Sequence, residues 1–309
     1  MTVNIVVLGS INMDLVIQTP HHPKIGETIK GSGFHMIPGG KGANQAVAIV
    51  RNGFFPRFIG CVGSDGFGSE LFELLSNEGI DTEHVRKLDQ KATGVALIIV
   101  DAQSRNTIVI SPGANELISP EQVDQAADDI ATADLFICQL ETNFEAVEKS
   151  IAIAHKHGTK IILNPAPVRE LSSSLLCQVD FLIPNEIEAS MLTGINVKDL
   201  DSAYEAGQHL IQKGVDHVLI TLGKLGVVIL TKNLRLHLVA HQVQAIDTTA
   251  AGDTFVGNFA VVLGQGRDIQ QAVRHAQSAA ALSVTKLGAQ SSIPFSQEIN
   301  SFINHSLES

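Results

Sequence analysis

Short runs of β-branched and other apolar residues recur along the chain, separated by stretches in which apolar positions return every third or fourth residue. Ile5 to Leu8, Asp134 to Leu140, Lys160 to Leu163, Phe181 to Ile183 and His217 to Thr221 read as buried strands. Glu121 to Thr132, Glu145 to His157 and Ala203 to Lys213 carry helical spacing. The last two run into glycine, at His157-Gly158 and Lys213-Gly214, where a left-handed residue closes a helix. Strands alternating with helices need crossover connections. A three-layer α/β/α domain around a mainly parallel sheet is therefore expected, one domain over 1–309.

Two stretches depart from that rhythm. Residues 11–38 and about 92–110 alternate in character, with turn signals at Thr19-Pro20, Pro23, Gly26 and Ser104-Arg105-Asn106 and no helix between strands. They predict antiparallel excursions that form a small β-sheet lid inserted in the domain. No low-complexity linker or solenoid-length repeat interrupts the chain.

Composition narrows the class. With 44% hydrophobic and 17% charged residues the chain is globular rather than disordered. A formal net charge of −11 argues against a nucleic-acid partner, although a local cluster of backbone donors can still hold a small phosphorylated ligand. No apolar run approaches the ~20 residues of a membrane span. Met1-Thr2-Val3-Asn4-Ile5 lacks the basic region of a signal peptide and leads into a strand pattern. Cys61, Cys138 and Cys177 are widely spaced and odd in number, which predicts reduced, buried thiols in a cytoplasmic protein.

The chemistry concentrates in two segments. In Ile246-Asp247-Thr248-Thr249-Ala250-Ala251-Gly252-Asp253-Thr254-Phe255, a run of small residues follows a strand and opens an apolar helix, Phe255 to Leu263. The unpaired N–H groups of such a first turn lie at a positive dipole end and receive an anion, a phosphoryl group in transfer being the obvious one. A lone Thr-Gly-Asp would read as an ordinary first-turn acid; two aspartates six apart around an all-small turn favour a functional site. In Pro38-Gly39-Gly40-Lys41-Gly42-Ala43-Asn44-Gln45-Ala46, glycines precede a helix over Val47 to Arg51 and let a ligand approach the backbone. This is no Walker loop, because His35 stands where its first glycine would fall and Gly42 replaces the hydroxyl after the lysine. The first strand ends Leu8-Gly9-Ser10-Ile11-Asn12, which does not fit the dinucleotide fingerprint either.

Taken together, the two segments resemble the signatures of the ribokinase (phosphofructokinase-B) family of carbohydrate kinases. The resemblance runs through the whole chain in order. It includes Gly9-Ser10-Ile11-Asn12-Met13-Asp14, Gly26-Glu27-Thr28, Gly113-Ala114-Asn115, Gln139-Leu140-Glu141, Asn164-Pro165-Ala166-Pro167, Pro184-Asn185-Glu186-Ile187-Glu188 and Thr221-Leu222-Gly223-Lys224-Leu225-Gly226.

The resemblance implies a ribokinase-like fold and transfer of the γ-phosphate of ATP to the primary hydroxyl of a small sugar, with ribose the sugar implied. Asp253 matches the family's catalytic base, and the amides of Ala250, Ala251 and Gly252 would hold developing charge. Positions matching sugar contacts are Asn12, Met13, Asp14, Gly40, Lys41, Gly42, Ala43, Asn44 and Glu141, with Asp253 touching the sugar as well. Met13 could equally pack under the lid, and Asn12 and Glu141 also suit turn or strand-end chemistry. Nucleotide positions map to Asn185, Thr221, Leu222, Gly223, Lys224, Leu225, Gly226, Gly252, Asp253 and Gln277. Asn185 and Glu188 match an element associated with magnesium through water, and Lys41 and Lys224 are either phosphate clamps or exposed lysines. Potassium is implied at Asp247, Thr249, Ser283, Lys286, Gly288 and Ser292, partly through backbone carbonyls.

A neutral polyol offers no charge to grip, so recognition must rest on paired hydrogen bonds. A related kinase acting on 2-deoxyribose, fructose or a nucleoside is the alternative within the fold. A sugar sensor without chemistry is a further one, disfavoured by the intact Asp253. An open edge in the lid also predicts a homodimer through the lid.

Overall fold

The computed structural model describes residues 3–103 and 105–308; Met1, Thr2, Ser104 and Ser309 lie outside the described residues, and with them part of the amino-terminal and Ser104 turn expectations. The strands are β1 Ile5–Leu8, β2 Asn12–Thr19, β3 Ser32–Gly39, β4 Arg57–Gly63, β5 Val85–Leu88, β6 Gly94–Asp101, β7 Asn106–Ser111, β8 Leu135–Cys138, β9 Lys160–Leu163, β10 Phe181–Leu182, β11 His217–Thr221, β12 Val227–Leu230 and β13 Arg235–Leu238. The helices are α1 Lys41–Val50, α2 Gly66–Glu78, α3 Pro120–Gln125, α4 Ala127–Thr132, α5 Phe144–His157, α6 Ser173–Leu176, α7 Glu186–Thr193, α8 Leu200–Gln212, α9 Ala251–Gly264, α10 Ile269–Ser283 and α11 Ser296–Glu308.

Among the described residues nine strands form the large sheet, in the order β13-β12-β11-β10-β9-β8-β1-β4-β5. Pairing is parallel from β5 to β11, and β12 and β13 add antiparallel at one edge. The period of two along β1 divides the core. Val6 and Leu8 pack with Val147, Ile151 and Leu210 of α5 and α8 on one face. Ile5 and Val7 pack with Ala46, Leu71, Phe259 and Val273 of α1, α2, α9 and α10 on the other. Both faces are covered, which is why these strands read as unbroken apolar runs.

Boundaries moved where polar chemistry begins. The strand expected to Leu140 stops at Cys138, so Gln139 to Glu141 leave the sheet. The helix expected from Phe255 begins at Ala251, and the one expected from Val47 begins at Lys41, directly behind Gly40 with φ 93°. The helix expected over Glu121 to Thr132 divides at Ala126, where the chain tightens to a bond from Ala126 N–H to Val123 O.

The small sheet has the order β3-β2-β6-β7. Its outer pairs are antiparallel, but β2 and β6 run parallel over eight register partners. This corrects the purely antiparallel expectation. The physical cause is that both strands start from the body, β2 after β1 and β6 after β5, and leave it in one direction. Cys61 and Cys138 are buried and unpaired; Cys177 is unpaired but exposed, so the expectation of buried thiols holds for two of the three. No described helix is long and apolar enough to cross a membrane.

Candidate active site

The segments after β9 and β10 and the end of β11 meet the first turns of α1 and α9 around a cleft of about 190 Å³. Loops beyond the carboxyl ends of parallel strands are where this architecture gathers its polar side chains. What brings α1 against α9 is a close crossing at Gly257, one turn beyond Asp253. A Cβ there would lie 2.6 Å from both Ala48 Cβ and Gln45 O. The crossing places the first turns of the two helices side by side.

Asp253 lies within the first turn of α9 and is buried. Its Oδ2 accepts from Asn44 Nδ2 at 2.9 Å and its Oδ1 from Gln45 Nε2 at 3.1 Å. Burial pushes its carboxyl above the usual range, and Lys41, Asn44 and Gln45 pull it back. Lys41 opens α1, with its Nζ 3.9 Å from Glu141 Oε1 and its backbone N–H donating to Glu141 Oε2 at 3.3 Å. Burial works against its charge, but Asp253, Glu141, Glu188 and Asp14 together hold the ammonium above the ordinary lysine value. Lys41 therefore lines the cleft, whereas Lys224 is exposed.

Behind β1, Ser10 Oγ donates to Glu141 Oε2 at 2.5 Å. Asn12 Oδ1 accepts from Asn115 Nδ2 at 2.8 Å, and Asn115 Oδ1 accepts from Ile11 N–H at 2.9 Å. Asp14 is buried on β2, and its pKa is raised to about 7 by burial, then by Glu141 and Asp253, with Lys41 opposing. Asn44 Oδ1 is buried with no partner among the described residues, an acceptor open to a hydroxyl donor. Two expected sugar contacts face elsewhere. Met13 is wholly buried in the core with Ile11, Ala43 and Val47, because the alternation along β2 turns it away from the side of Asn12 and Asp14. Ala43 is buried too, and its N–H donates to Ser10 O at 3.0 Å.

The anion-binding turn has a left-handed residue at Ala250, φ 59°, a conformation that costs a side-chain-bearing residue some strain. Ala251 N–H donates to Thr248 O at 3.3 Å. Gly252 faces open space. Asn185 and Glu188 form a capping box at the start of α7: Glu188 N–H donates to Asn185 Oδ1 and Asn185 N–H donates to Glu188 Oε2, both at 2.8 Å. Glu188 lines the cleft, and burial raises its carboxyl. Beyond β11, Gly223 and Gly226 take positive φ and Leu222 is buried. Gln277 on α10 donates to Leu238 O at 3.0 Å and so holds the end of β13 beside that loop.

The loop carrying Lys286, Gly288 and Ser292 lies against Asp247 through Gly288 N–H, 2.9 Å from Asp247 Oδ2. Lys286 turns its ammonium away to Glu298 Oε1 at 2.6 Å. Among the described residues the carbonyls of Thr249, Lys286, Gly288 and Ser292 accept no hydrogen bond, while those of Leu287, Ala289, Gln290 and Ile293 do. Ser283, also expected at the cation, is otherwise engaged: its O accepts from Lys286 N–H at 3.1 Å and its Oγ donates to Ala280 O at 2.9 Å. Asp247 and the free carbonyls are the donors that suit a monovalent cation.

Residues 3–296 match the family model described as pfkB family carbohydrate kinase. The chain belongs to the pfkB family of carbohydrate kinases. It is 47% identical over 299 residues to the ribokinase of Haemophilus influenzae, covering 97% of this chain and 98% of that protein. It is 40% identical over 302 residues to the deoxyribokinase of Salmonella typhi, covering 97% and 99%. The structure of Arabidopsis thaliana ribokinase complexed with ribose and ATP superposes with a TM-score of 0.90 at 30% identity, over 98% of this chain and 99% of that one. As a family member the chain is a phosphotransferase with ATP as a substrate.

Three side chains in the site escaped the residue-level reading: Gln45, Gln139 and Asn164. Each sits inside a segment that carried the resemblance, which was the signal available. Nothing in their spacing marked them, because an amide at one helical position and others behind two strands converge only once α1 docks.

Proposed function

We propose that this kinase transfers the γ-phosphoryl group of ATP to the 5-hydroxyl of D-ribose, giving D-ribose 5-phosphate and ADP, with Asp253 as the base. The observation that carries the reading is a buried carboxylate in the first turn of α9, held by two amide donors and facing a cleft lined by Lys41. The sugar's 5-oxygen attacks the γ-phosphorus, the bond to the β,γ-bridging oxygen breaks, and the hydroxyl proton passes to Asp253. Burial makes that carboxylate a better acceptor than a free aspartate, and it orients the hydroxyl before the proton becomes acidic. The amides of Ala250 and Gly252 are the donors offered to the charge that develops, whereas the Ala251 N–H, expected among them, is spent on Thr248 O within the turn.

Asp14, Asn44, Asn12 and Glu141 grip the sugar, with Asn44 Oδ1 accepting one hydroxyl and Asp14 suited to two. Lys41 balances their charges. Thr221 to Gly226 and Gln277 frame the nucleotide, and Asn185 and Glu188 serve its phosphate end. Magnesium, when bound with ATP, neutralises phosphate charge; Glu188, with one oxygen committed to the capping box, would hold it through water, which suits an ion that keeps its hydration. Potassium would be held by Asp247 and the free carbonyls of the facing loop, stiffening the anion-binding turn.

The small sheet acts as a lid that closes on sugar and excludes water as an acceptor. Its face carries a register row of Met36, Leu15, Leu97 and Val109, three of them more than half exposed. An apolar sheet face of this kind supports a homodimer through the lid. Three unpaired cysteines suit a cytoplasmic location, and the partners are sugar and ATP rather than nucleic acid or membrane.

A coupled assay with ATP and a panel of ribose, 2-deoxyribose, fructose and adenosine tests the substrate. Ribose should give the highest kcat/KM, because acceptors built for a 2-hydroxyl lose a partner in its absence. A higher value for deoxyribose would replace ribose while leaving the kinase reading in place.

A further inference from the structure

Gln45 stands one residue beyond Asn44 and has both amide hydrogens and its oxygen engaged. Its Nε2 donates to Asp253 Oδ1 at 3.1 Å and to Asn164 Oδ1 at 3.2 Å. Its Oε1 accepts from Gln139 Nε2 at 2.6 Å. Gln45 and Gln139 are wholly buried. Asn164 is anchored in turn, donating through Nδ2 to Ile183 O at 2.9 Å. Gln139 lies over Gly9, where a Cβ would come within 2.3 Å of its Oε1. A frame of amides thus ties the carboxylate on α9 to the ends of β8, β9 and β10.

We propose that Gln45 is the positioning residue of the catalytic carboxylate and that Gln139 supports it by donating to the oxygen of the Gln45 amide. A glutamine amide can reverse by rotation about its last bond. Reversed, Gln45 would set its oxygen against Asp253 Oδ1 and Asn164 Oδ1 and its nitrogen against the nitrogen of Gln139. In a buried site the oxygen-to-oxygen contacts alone leave Asp253 Oδ1 and Asn164 Oδ1 without the donor that Gln45 now supplies. Asp253 Oδ1 and the anchored Asn164 Oδ1, both acceptors, select the orientation that turns Nε2 toward them, and Gln139, whose own Oε1 is buried without a partner among the described residues, supplies the donor for the oxygen on the other side. With one donor from Asn44 on Oδ2 and one from Gln45 on Oδ1, Asp253 is held in plane and favoured as the ionised acceptor, with lone pairs left for the sugar hydroxyl.

The inference rests on Asp253 being the base, and the test separates the two. Gln45→Met, Gln139→Met and the double variant are assayed for kcat, both KM values and the pH profile of kcat, beside Asp253→Asn. Gln45→Met should lose about ten- to hundredfold in kcat, the effect of one hydrogen bond to a charged group. KM for ATP should stay near wild type, and the acid limb of the kcat profile should move to higher pH. Gln139→Met should show a smaller loss and the same shift. The double variant should be no worse than Gln45→Met, because Gln139 acts through Gln45. A wild-type kcat and profile in Gln45→Met, with Asp253→Asn inactive, overturns the inference and leaves the base in place. Losses that add in the double variant overturn the part assigned to Gln139. Substantial turnover in Asp253→Asn overturns the reading beneath both. If Gln45→Met does not fold, Gln139→Met decides alone: a shifted acid limb supports the frame and an unchanged profile overturns it.

Discussion

Asp247 Oδ2 accepts the backbone N–H of Gly288 at 2.9 Å, joining two loops that lie 41 residues apart. The other oxygen of Asp247 accepts from Thr249 N–H at 2.9 Å and Thr249 Oγ1 at 2.7 Å. Although burial opposes it, these donors hold the carboxyl below the usual range. One side chain thus fixes both the turn that precedes α9 and the loop whose carbonyls remain free.

Replacing potassium by sodium or a bulky organic cation should lower kcat several-fold at matched ionic strength, with sugar KM little changed. Asp247→Ala should lower kcat in potassium and abolish the difference between salts. Initial rates in the three salts check both, and equal wild-type rates would remove the cation from the mechanism.

Asp14 gives a pH dependence with a definite sign. Its folded-state pKa is raised from 3.8 to about 7. Between those values the native state binds the proton and the unfolded chain does not, so this group's contribution to stability declines as pH rises through that window and is constant above it. Asp14→Asn should therefore gain in Tm over the wild type near pH 8 and show no gain near pH 3. The same variant should raise the sugar KM by about tenfold or more, since it removes a charged acceptor. In the wild type the sugar KM should fall as pH rises through about 7, as Asp14 becomes the acceptor. Thermal scans and sugar saturation curves across that range are the measurements.

Leu97 and Val109 are register partners on the exposed face of the small sheet, 52% and 61% accessible. Sedimentation should find dimers at micromolar concentration, and Val109→Lys should shift them to monomers. Sugar should slow hydrogen exchange in β2, β3, β6 and β7. Wild-type monomers would sink the interface, and exchange indifferent to sugar would sink the lid.

How far these features were legible in the sequence depended on whether they are local. The three layers follow from apolar runs and helical spacing, so β1, β9 and β11 could be read to the residue, whereas β8 was expected two residues too far at its carboxyl end. Asp253 and the glycines before Lys41 stood out because helix starts carry a chemistry of their own. The parallel pairing of β2 with β6 was not legible, because strand direction depends on where two distant segments leave the body. Met13 illustrates the limit within a motif: its neighbours Asn12 and Asp14 share one side of β2, and a period of two places it on the other. Gln45 needed α1 to dock on the sheet before it met Gln139 and Asn164, and the crossing at Gly257 before it met Asp253. The Asn185-x-x-Glu188 pattern was legible through the family resemblance alone, and its second role as a capping box appears only in the structure.

The central claim is that Asp253 accepts the proton of the attacking hydroxyl. Asp253→Asn keeps the size of the side chain and removes the acceptor and its charge. It is assayed for kcat at saturating ribose and melted from the same preparation, with ATP binding measured by titration. The expected result is a folded protein that still binds ATP and has lost about 10²–10⁴ in kcat, the usual consequence of losing a general base. If Asp253 were only a favourable first-turn acid, the variant would lose about 0.3–1 kcal/mol of stability and keep its turnover. A folded Asp253→Asn protein with more than about a tenth of wild-type kcat would contradict the assignment of the base.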